Sequence, residues 1–474
     1  MSKKNKFDLH ESRLGTTGEH GERVYLFPEE VKGIWRTRRK YFYWFLIFLY
    51  MILPWINIGG KQSVLLNIPA REFTFFSYTF YAHNAPLLLF VLLGFLFTIG
   101  FITSIWGRVW CGWACPQTVF ITSIYLKIEG LVEGKPRQRQ KLSASPWSFE
   151  KAWKKSLKWF LFLVVSMHIS HSFLGYFVGA RKLFWITLSP PSEHMTLFLF
   201  MWFLTLLFLL DFGWFREQFC IIACPYGRIQ SVMMDEHSMA IIYDEKRGEP
   251  RREPGMEKNE HGDCINCFAC VKACPTGIDI RRGVQLECIA CTNCIDACDD
   301  IMEKVHKPKG LIRYDTQASL EGQKTKILRP RNLVYLTAII GIIIGFVVSL
   351  QVSREFNATF VRGPGDIYKE VTLPGGQREI RNLYQVNLEN EAKTHLHIRV
   401  QIKDEKLRER ITLVLPRNPF KMEKAYRKKN IFFKFPPSIL DKGSKTVTLQ
   451  FIDISKKSEE LILEKEVKLA GPLK

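Results

Sequence analysis

The sequence predicts a multi-domain membrane protein in three parts: an α-helical transmembrane bundle of five spans, a cysteine-rich insert before the last span, and a C-terminal β-sandwich. Three observations predict it. Apolar residues gather into five long runs, eight cysteines crowd between Cys264 and Cys298, and the tail alternates apolar and polar residues.

The five runs are Tyr41–Ile58, Ala85–Trp106, Leu157–Val178, Met195–Phe215 and Leu333–Val352. Each is near the roughly 20 residues that a bilayer requires. Pro54 lies near the end of the first, where a span tolerates it. Tyr and Trp mark the run edges, as interface belts do. Lys and Arg near the run ends predict the orientation. Ten precede the first run, only Lys61 and Arg71 follow it, and nine lie between Gly107 and Ser156. Only Arg181 and Lys182 follow the third run, and the segment after the fourth is basic again. By the positive-inside rule the N-terminus and the insert face the cytoplasm and the tail lies outside. The domains expected are a cytoplasmic segment 1–40, a four-span membrane domain 41–235, a cytoplasmic insert 236–332, a fifth span 333–352 and a periplasmic domain 353–474.

The chain has 474 residues, 47% of them hydrophobic, and a net charge of +21. Topology accounts for much of that charge. No aromatic-studded basic groove pattern points to nucleic acid. No secretory signal opens the chain, because its first 40 residues are polar.

All 12 cysteines fall into four tight motifs, a placement that suits metal ligation better than a disulfide framework. Cys264-x-x-Cys267-x-x-Cys270-x-x-x-Cys274-Pro275 is the bacterial ferredoxin run, and Cys288-x-x-Cys291-x-x-Cys294-x-x-x-Cys298 repeats it. In two-cluster ferredoxins the fourth cysteine of each run serves the other cluster. The expected ligands are Cys264, Cys267, Cys270 and Cys298 for one 4Fe–4S cluster, and Cys288, Cys291, Cys294 and Cys274 for the second. Asp299 stands where proline is usual, and its charge is expected to lower the neighbouring cluster's potential.

A second repeat follows two of the runs: Trp110-Cys111-Gly112-Trp113-Ala114-Cys115-Pro116 and Phe219-Cys220-Ile221-Ile222-Ala223-Cys224-Pro225. If the local backbone is helical, the two cysteines of each repeat share a face. Cys111, Cys115, Cys220 and Cys224 are candidates for one four-sulfur site suited to Cu(I), zinc or an iron–sulfur cluster, for a redox dithiol, or for cysteines packing the span ends. His168 and His171, three apart in the third run, are weaker candidates for metal or quinone chemistry, against hydrogen bonding between spans. Asp211 is expected to snorkel or pair with Arg216. His395 and His397 alternate on one strand and read as a solvated face.

The tail shows Tyr384, Val386, Leu388, then Leu396, Ile398, Val400, Ile402, then Val447, Leu449, Phe451, with turn signals at Pro374-Gly375-Gly376 and Asn418-Pro419. Short alternating strands over this length predict a β-sandwich of immunoglobulin type.

With these pieces placed, the chain resembles the CcoG/RdxA/FixG family, accessory proteins of cbb₃-type cytochrome c oxidase. The resemblance rests on both Cys-x-x-x-Cys-Pro repeats, on Ala223-Cys224-Pro225-Tyr226-Gly227-Arg228, on Cys294-Ile295-Asp296-Ala297-Cys298-Asp299 and on Gly310-Leu311-Ile312-Arg313-Tyr314. Asn382-Leu383-Tyr384 with Asn390 resembles the opening of the family's immunoglobulin-like domain. The resemblance implies a protein of the bacterial cytoplasmic membrane that serves oxidase assembly by reducing Cu(II) to Cu(I). Copper held near the four repeat cysteines would then receive electrons from the clusters. Candidate partners are membrane lipid, oxidase subunits or copper-delivery proteins, a cytoplasmic electron donor and a second copy of the chain. Two other readings stand beside it. One is a quinol-linked electron carrier, resembling the quinol dehydrogenase partner of periplasmic nitrate reductase. The other is a non-enzymatic assembly scaffold with redox-sensing clusters.

Overall fold

A computed structural model describes residues 16, 23–69, 72–76, 78–80, 85–257, 260–352, 356–363, 365–374, 377–390, 396–422, 426–455 and 460–472. The chain divides into two units, Met1–Ser349 and Leu350–Lys474.

In the first unit, four helices are long and apolar enough to cross a membrane: Leu87–Trp106, Phe149–Val178, Pro191–Phe215 and Pro330–Ser349. Their outward residues, among them Leu92, Phe95, Phe203 and Ile344, are exposed hydrophobics. A helix apolar on every side is stable only in a buried or lipid setting.

The first predicted run behaves differently. Helix α1 spans Ile34–Ile52 and so begins inside the basic segment, and a 3₁₀ turn at Leu53–Trp55 follows it. Asn57–Ile58 then pairs with Lys61–Gln62 in a small hairpin. Pro54 breaks the run, because proline removes an amide donor and clashes with the preceding turn. The apolar run therefore does not form one uninterrupted helix.

Long and short helices together place the site. Helix α2 is Ala85–Trp106, α3 Val109–Trp113, α4 Pro116–Phe120, α5 Leu126–Val132 and α6 Pro136–Ala144. Helix α7 is Phe149–Val178, started by Ser148, whose side chain accepts the Lys151 amide. Helix α8 is Met195–Phe208, and it continues as wide helical turns through Leu209–Phe215. Helix α9 is Pro225–Met233. Tyr43 and Ile47 of α1, Phe120 of α4, Phe162 and Ile169 of α7, and Phe212 form the bundle's buried core.

In the insert, strands β1 (Ala240–Tyr243) and β2 (Ile312–Asp315) pair antiparallel, and every residue of β1 is buried. Between them lie α10 (Ala269–Lys272) and α11 (Asn293–Lys304). Helix α12 is Pro330–Val352.

The second unit is two antiparallel sheets. One has Phe356–Arg362, Arg378–Asn390, Tyr426–Phe435 and Thr412–Val414 in spatial order, with Lys369–Thr372 also on the second strand. The other has Phe420–Met422, Leu396–Ile402, Ser444–Asp453 and Glu460–Ala470. The predicted alternation holds: Val386, Leu388, Ile398, Val400, Leu449 and Phe451 are all buried in one core drawn from both sheets. Buried Asn382 exchanges two hydrogen bonds with the Ala470 backbone, at 2.8 and 2.7 Å, and so ties one sheet to the other. Gly375, Gly376 and His395 lie outside the described residues, and His397 is exposed.

Candidate electron-transfer site

The two ferredoxin runs fold alike. Asn266 and Phe268 flank Cys267 with positive φ (57° and 60°), and Ala290 and Thr292 flank Cys291 in the same way (53° and 62°). Left-handed backbone at non-glycine residues is costly and persists where surrounding structure enforces it. Here it winds each loop so that successive cysteines turn inward. One cavity is lined by Cys264, Cys267, Cys270 and Cys298. A second is lined by Cys274, Cys288, Cys291 and Cys294, and Cys270 stands on its wall as well. Two four-thiol cavities sharing a wall fit the donor set of two 4Fe–4S clusters. Burial pushes the Cys270 and Cys288 thiols up to about 12. Iron must therefore displace protons to bind them.

Asp299 is not a substitute for a helix-ending proline. Helix α11 runs on to Lys304, so residue 299 is helix interior, where proline would remove a hydrogen bond. Its carboxylate accepts the Gly310 amide at 2.9 Å. In the first run, α10 stops at Lys272, and Pro275 follows without penalty.

The Cys-x-x-x-Cys-Pro repeats are not single helices. Cys111 lies in α3, but Cys115 is extended (ψ 125°) and sits at the N-cap of α4. Likewise Cys224 (ψ 112°) sits at the N-cap of α9. A residue before proline avoids the helical region, and proline suits the first helical position. Each repeat thus ends one turn and starts another with a cysteine at the junction. Burial pushes the Cys115 thiol up, while the Gln117 and Thr118 amides at the start of α4 oppose that shift. Burial also raises Cys220, and it pushes Cys111 up to about 12.

Cys111 packs with Ile289 and Cys291 of the ferredoxin loop, and Cys220 and Tyr226 close the same cluster. Both repeats therefore meet the second ferredoxin cavity. The apposition is backbone-tight. A Cβ on Gly112 would collide with the Ile289 and Ala290 carbonyls. Arg108 donates to the carbonyls of Cys288 and Gly227, and Tyr43 donates to the Gly112 carbonyl. Tyr314 donates to the Ala290 carbonyl at 2.9 Å, and its ring meets Trp35 edge-on. Among the described residues, no three His, Cys, Asp or Glu side chains already converge on one metal ion. A cubane spreads its four thiolates over four corners, whereas a single zinc or copper ion draws them together.

Tyr43, Arg108 and Gln230, which accepts from the Cys111 thiol at 3.4 Å, escaped sequence reasoning. Arg108 had a signal, because it stands two residues before the first repeat. The other two had none. Asp211 does not pair with Arg216: it accepts from Gln117 at 2.8 Å. Arg216 binds Glu129 at 2.5 Å, within a buried network that includes Arg139 and Lys158. Burial alone would raise the Glu129 carboxyl, but the three cations hold it at about 2. His168 is exposed on α7 and His171 half-buried, and neither lines the cysteine cavities described above.

Four membrane-length apolar helices and two four-thiol cavities in one unit define a membrane-type iron–sulfur protein that transfers electrons. Comparison with known proteins agrees. A family profile described as "4Fe-4S dicluster domain" matches residues 215–317, and one described as "4Fe-4S binding domain" matches residues 87–133. The chain is 38% identical to Protein RdxB of Cereibacter sphaeroides over 79% of this chain and 81% of that protein. It is 35% identical to Protein RdxA of the same organism, over 78% and 80%. It is 35% identical to Nitrogen fixation protein FixG of Rhizobium meliloti, over 61% and 57%. The chain belongs to the FixG/RdxA/CcoG family. A solved structure of a FixG-related protein from Vibrio parahaemolyticus aligns with 26% of this chain and all of that one, at 12% identity and a TM-score of 0.20, too low to support a fold assignment.

Proposed function

We propose that this protein reduces Cu(II) to Cu(I) at the cytoplasmic membrane surface, for delivery to the copper centre of a cbb₃-type oxidase. One observation carries the reading: Cys111 and Cys220 share a buried cluster with Cys291, a wall residue of the second ferredoxin cavity. In this reading Cys264, Cys267, Cys270 and Cys298 hold one 4Fe–4S cluster, and Cys274, Cys288, Cys291 and Cys294 hold the other. Bound there, the clusters supply single electrons at low potential, and copper reduction consumes one. Cys111, Cys115, Cys220 and Cys224 receive copper, since thiolates favour Cu(I) over Cu(II).

The reading includes five spans, with the N-terminus and ferredoxin cytoplasmic and an immunoglobulin-like β unit periplasmic. What supports the first predicted run as a span, beside the four membrane-length helices, is the reach of α1. Its start touches α11 of the insert, where Asp296 accepts the Trp35 and Arg36 amides. Its end touches the far end of α7, where Tyr176 donates to the Tyr50 carbonyl. Its apolar part, Tyr41–Ile52, covers about 18 Å at 1.5 Å per residue, and the 3₁₀ turn Leu53–Trp55 adds about 6 Å, which approaches a hydrocarbon core.

A second reading has a specific observation behind it. The profile over residues 87–133, which contain Cys111 and Cys115, is described as 4Fe–4S binding. On that reading the four repeat cysteines hold a third cluster. Anaerobic purification with iron, sulfide and copper analysis separates the two, together with Cu(II) reduction by native protein and by paired Cys111/Cys115 and Cys220/Cys224 serine variants. The copper reading expects reduction to be lost with eight irons retained. Copper binding and reduction left intact in all four substitutions would refute it. About twelve irons in the native protein, falling to eight in the variants, would establish the third cluster.

A further inference from the structure

Beside the cysteine cavities lies a larger one of about 400 Å³, a size typical of small-molecule sites. Cys220 and Cys291 both stand on its wall. So do five basic side chains: Arg36, Arg39, Lys127, Lys135 and Arg139. Three acidic residues, Glu29, Glu30 and Glu217, also line it. Glu30 is exposed to solvent, Glu29 faces Arg137 at 3.8 Å, and burial pushes the Glu217 carboxyl up toward its neutral form. The balance on the wall is cationic.

Two of those cations are in an unusual state. Arg39 is 1% exposed, and it spends one nitrogen on Asn293 at 2.6 Å. Its Nε and Nη1 are buried and have no hydrogen-bond partner among the described residues. Arg139 donates to Glu129 through Nη1, while its buried Nε is likewise unpartnered. Buried polar groups are nearly always satisfied, and these unpartnered N–H groups, on two arginines of the cavity wall, leave single donors for an anionic oxygen.

We propose that this cavity binds a small oxyanion, a carboxylate or phosphate group held by Arg39 with Arg36 and Arg139, and seats it against Cys220 and Cys291. The binding site stands independently of the copper reading. Where that reading also holds, a carboxylate chelate is the form in which Cu(II) reaches Cys220. The anion has two sources: a soluble cytoplasmic molecule or the headgroup of an anionic lipid.

The test is calorimetric titration of citrate, and separately of inorganic phosphate, into full-length cluster-loaded protein in nanodiscs of phosphatidylcholine. Saturable binding is expected, weakened at least tenfold by Arg39→Gln with the cluster absorbance unchanged. Arg36→Gln gives the same reading without touching the Arg39–Asn293 bond, and it decides the matter if R39Q loses its clusters. Nanodiscs containing phosphatidylglycerol distinguish the sources. Citrate binding that persists there assigns a soluble anion. Citrate binding abolished there, with phosphatidylglycerol retained by native protein and lost by R36Q, assigns a headgroup. No binding of citrate, phosphate or phosphatidylglycerol, or binding indifferent to both substitutions, overturns the proposal. Because none of these readouts involves copper, failure of the cupric reading leaves the result intact.

Discussion

Asp296, in the second ferredoxin run, caps a helix that is not its own. Its carboxylate accepts the Arg36 amide at 2.7 Å and the Trp35 amide at 3.2 Å, at the start of α1. The first amides of a helix lack partners within the helix, and a carboxylate there also meets the favourable end of its dipole. Gly33 precedes the capped turn, and a side chain on it would overlap Asp296. The ferredoxin insert is thereby fastened to α1.

Asp296→Ala should release the Trp35 and Arg36 amides at a cost of about 1 kcal/mol. Hydrogen exchange at those two amides should quicken by roughly the fivefold to tenfold that this energy implies, while exchange in α7 stays as it was. Unchanged protection at Trp35 and Arg36 would show that the cap contributes nothing.

Gly112→Ala should force the Ile289–Ala290 loop away from α3, because the carbonyls there leave no room for a methyl group. Both clusters should remain visible by electron paramagnetic resonance. Copper reduction should slow by about a hundredfold, the scale on which a displacement of an ångström acts. A normal rate would mean that electrons do not cross this contact.

Glu129→Gln should be among the most damaging substitutions outside the cysteines. It strips Arg216, Arg139 and Lys158 of their buried carboxylate, and breaking such a pair costs roughly 3–5 kcal/mol. Asp300→Asn removes an exposed partner of Lys304 and should cost under about 0.5 kcal/mol. Thermal aggregation of the two purified variants checks the contrast. The pH dependence has a definite sign. The Glu129 carboxyl lies at about 2, below its ordinary 4.5, so its stabilisation is complete above pH 4.5 and is lost as pH falls toward 2. The native protein should show that acid-linked loss, and Glu129→Gln should show less of it, the remainder coming from Asp263, Asp279 and Asp315, which are also held below their ordinary values.

Asp299→Asn tests the effect of charge beside Cys298 without breaking α11, as proline would. Removing the negative charge should raise the potential of the cluster held partly by Cys298. Redox titration followed by electron paramagnetic resonance reads the change, and a fall in potential would reverse the assignment of sign.

Metal uptake at the repeats should release protons. Burial holds the Cys111, Cys115 and Cys220 thiols above their ordinary values, so they are protonated at neutral pH. Ligation by those three should release about three protons, and the apparent affinity for Cu(I) should climb by as many decades per pH unit. Calorimetry in buffers of different ionisation enthalpy counts the protons, and a count near zero would mean that the thiols are not the ligands.

Much of this protein was legible in one dimension. Long apolar runs, alternating strands and cysteine spacing are local signals, because each reflects the period of a single element or the reach of one loop around a cluster. They marked out the four membrane-length helices, the β unit and the twelve thiols. Other features depended on partners distant in sequence. Nothing around Pro54 showed that α1 would start in the basic segment and be capped by Asp296, some 260 residues away. Asp299 stands where the run usually has proline, and only the continuation of α11 past it gives the reason. Arg216 looked like a partner for Asp211, five residues before it, and instead crossed the bundle to Glu129. Two thiol motifs more than a hundred residues apart meet the second ferredoxin loop, through Gly112, where backbone packs directly on backbone, and through the Arg108 side chain. Spacing along a chain determines which side chains one element can present. Only the packing of elements decides which of them meet, because burial and charge pairing are settled between surfaces.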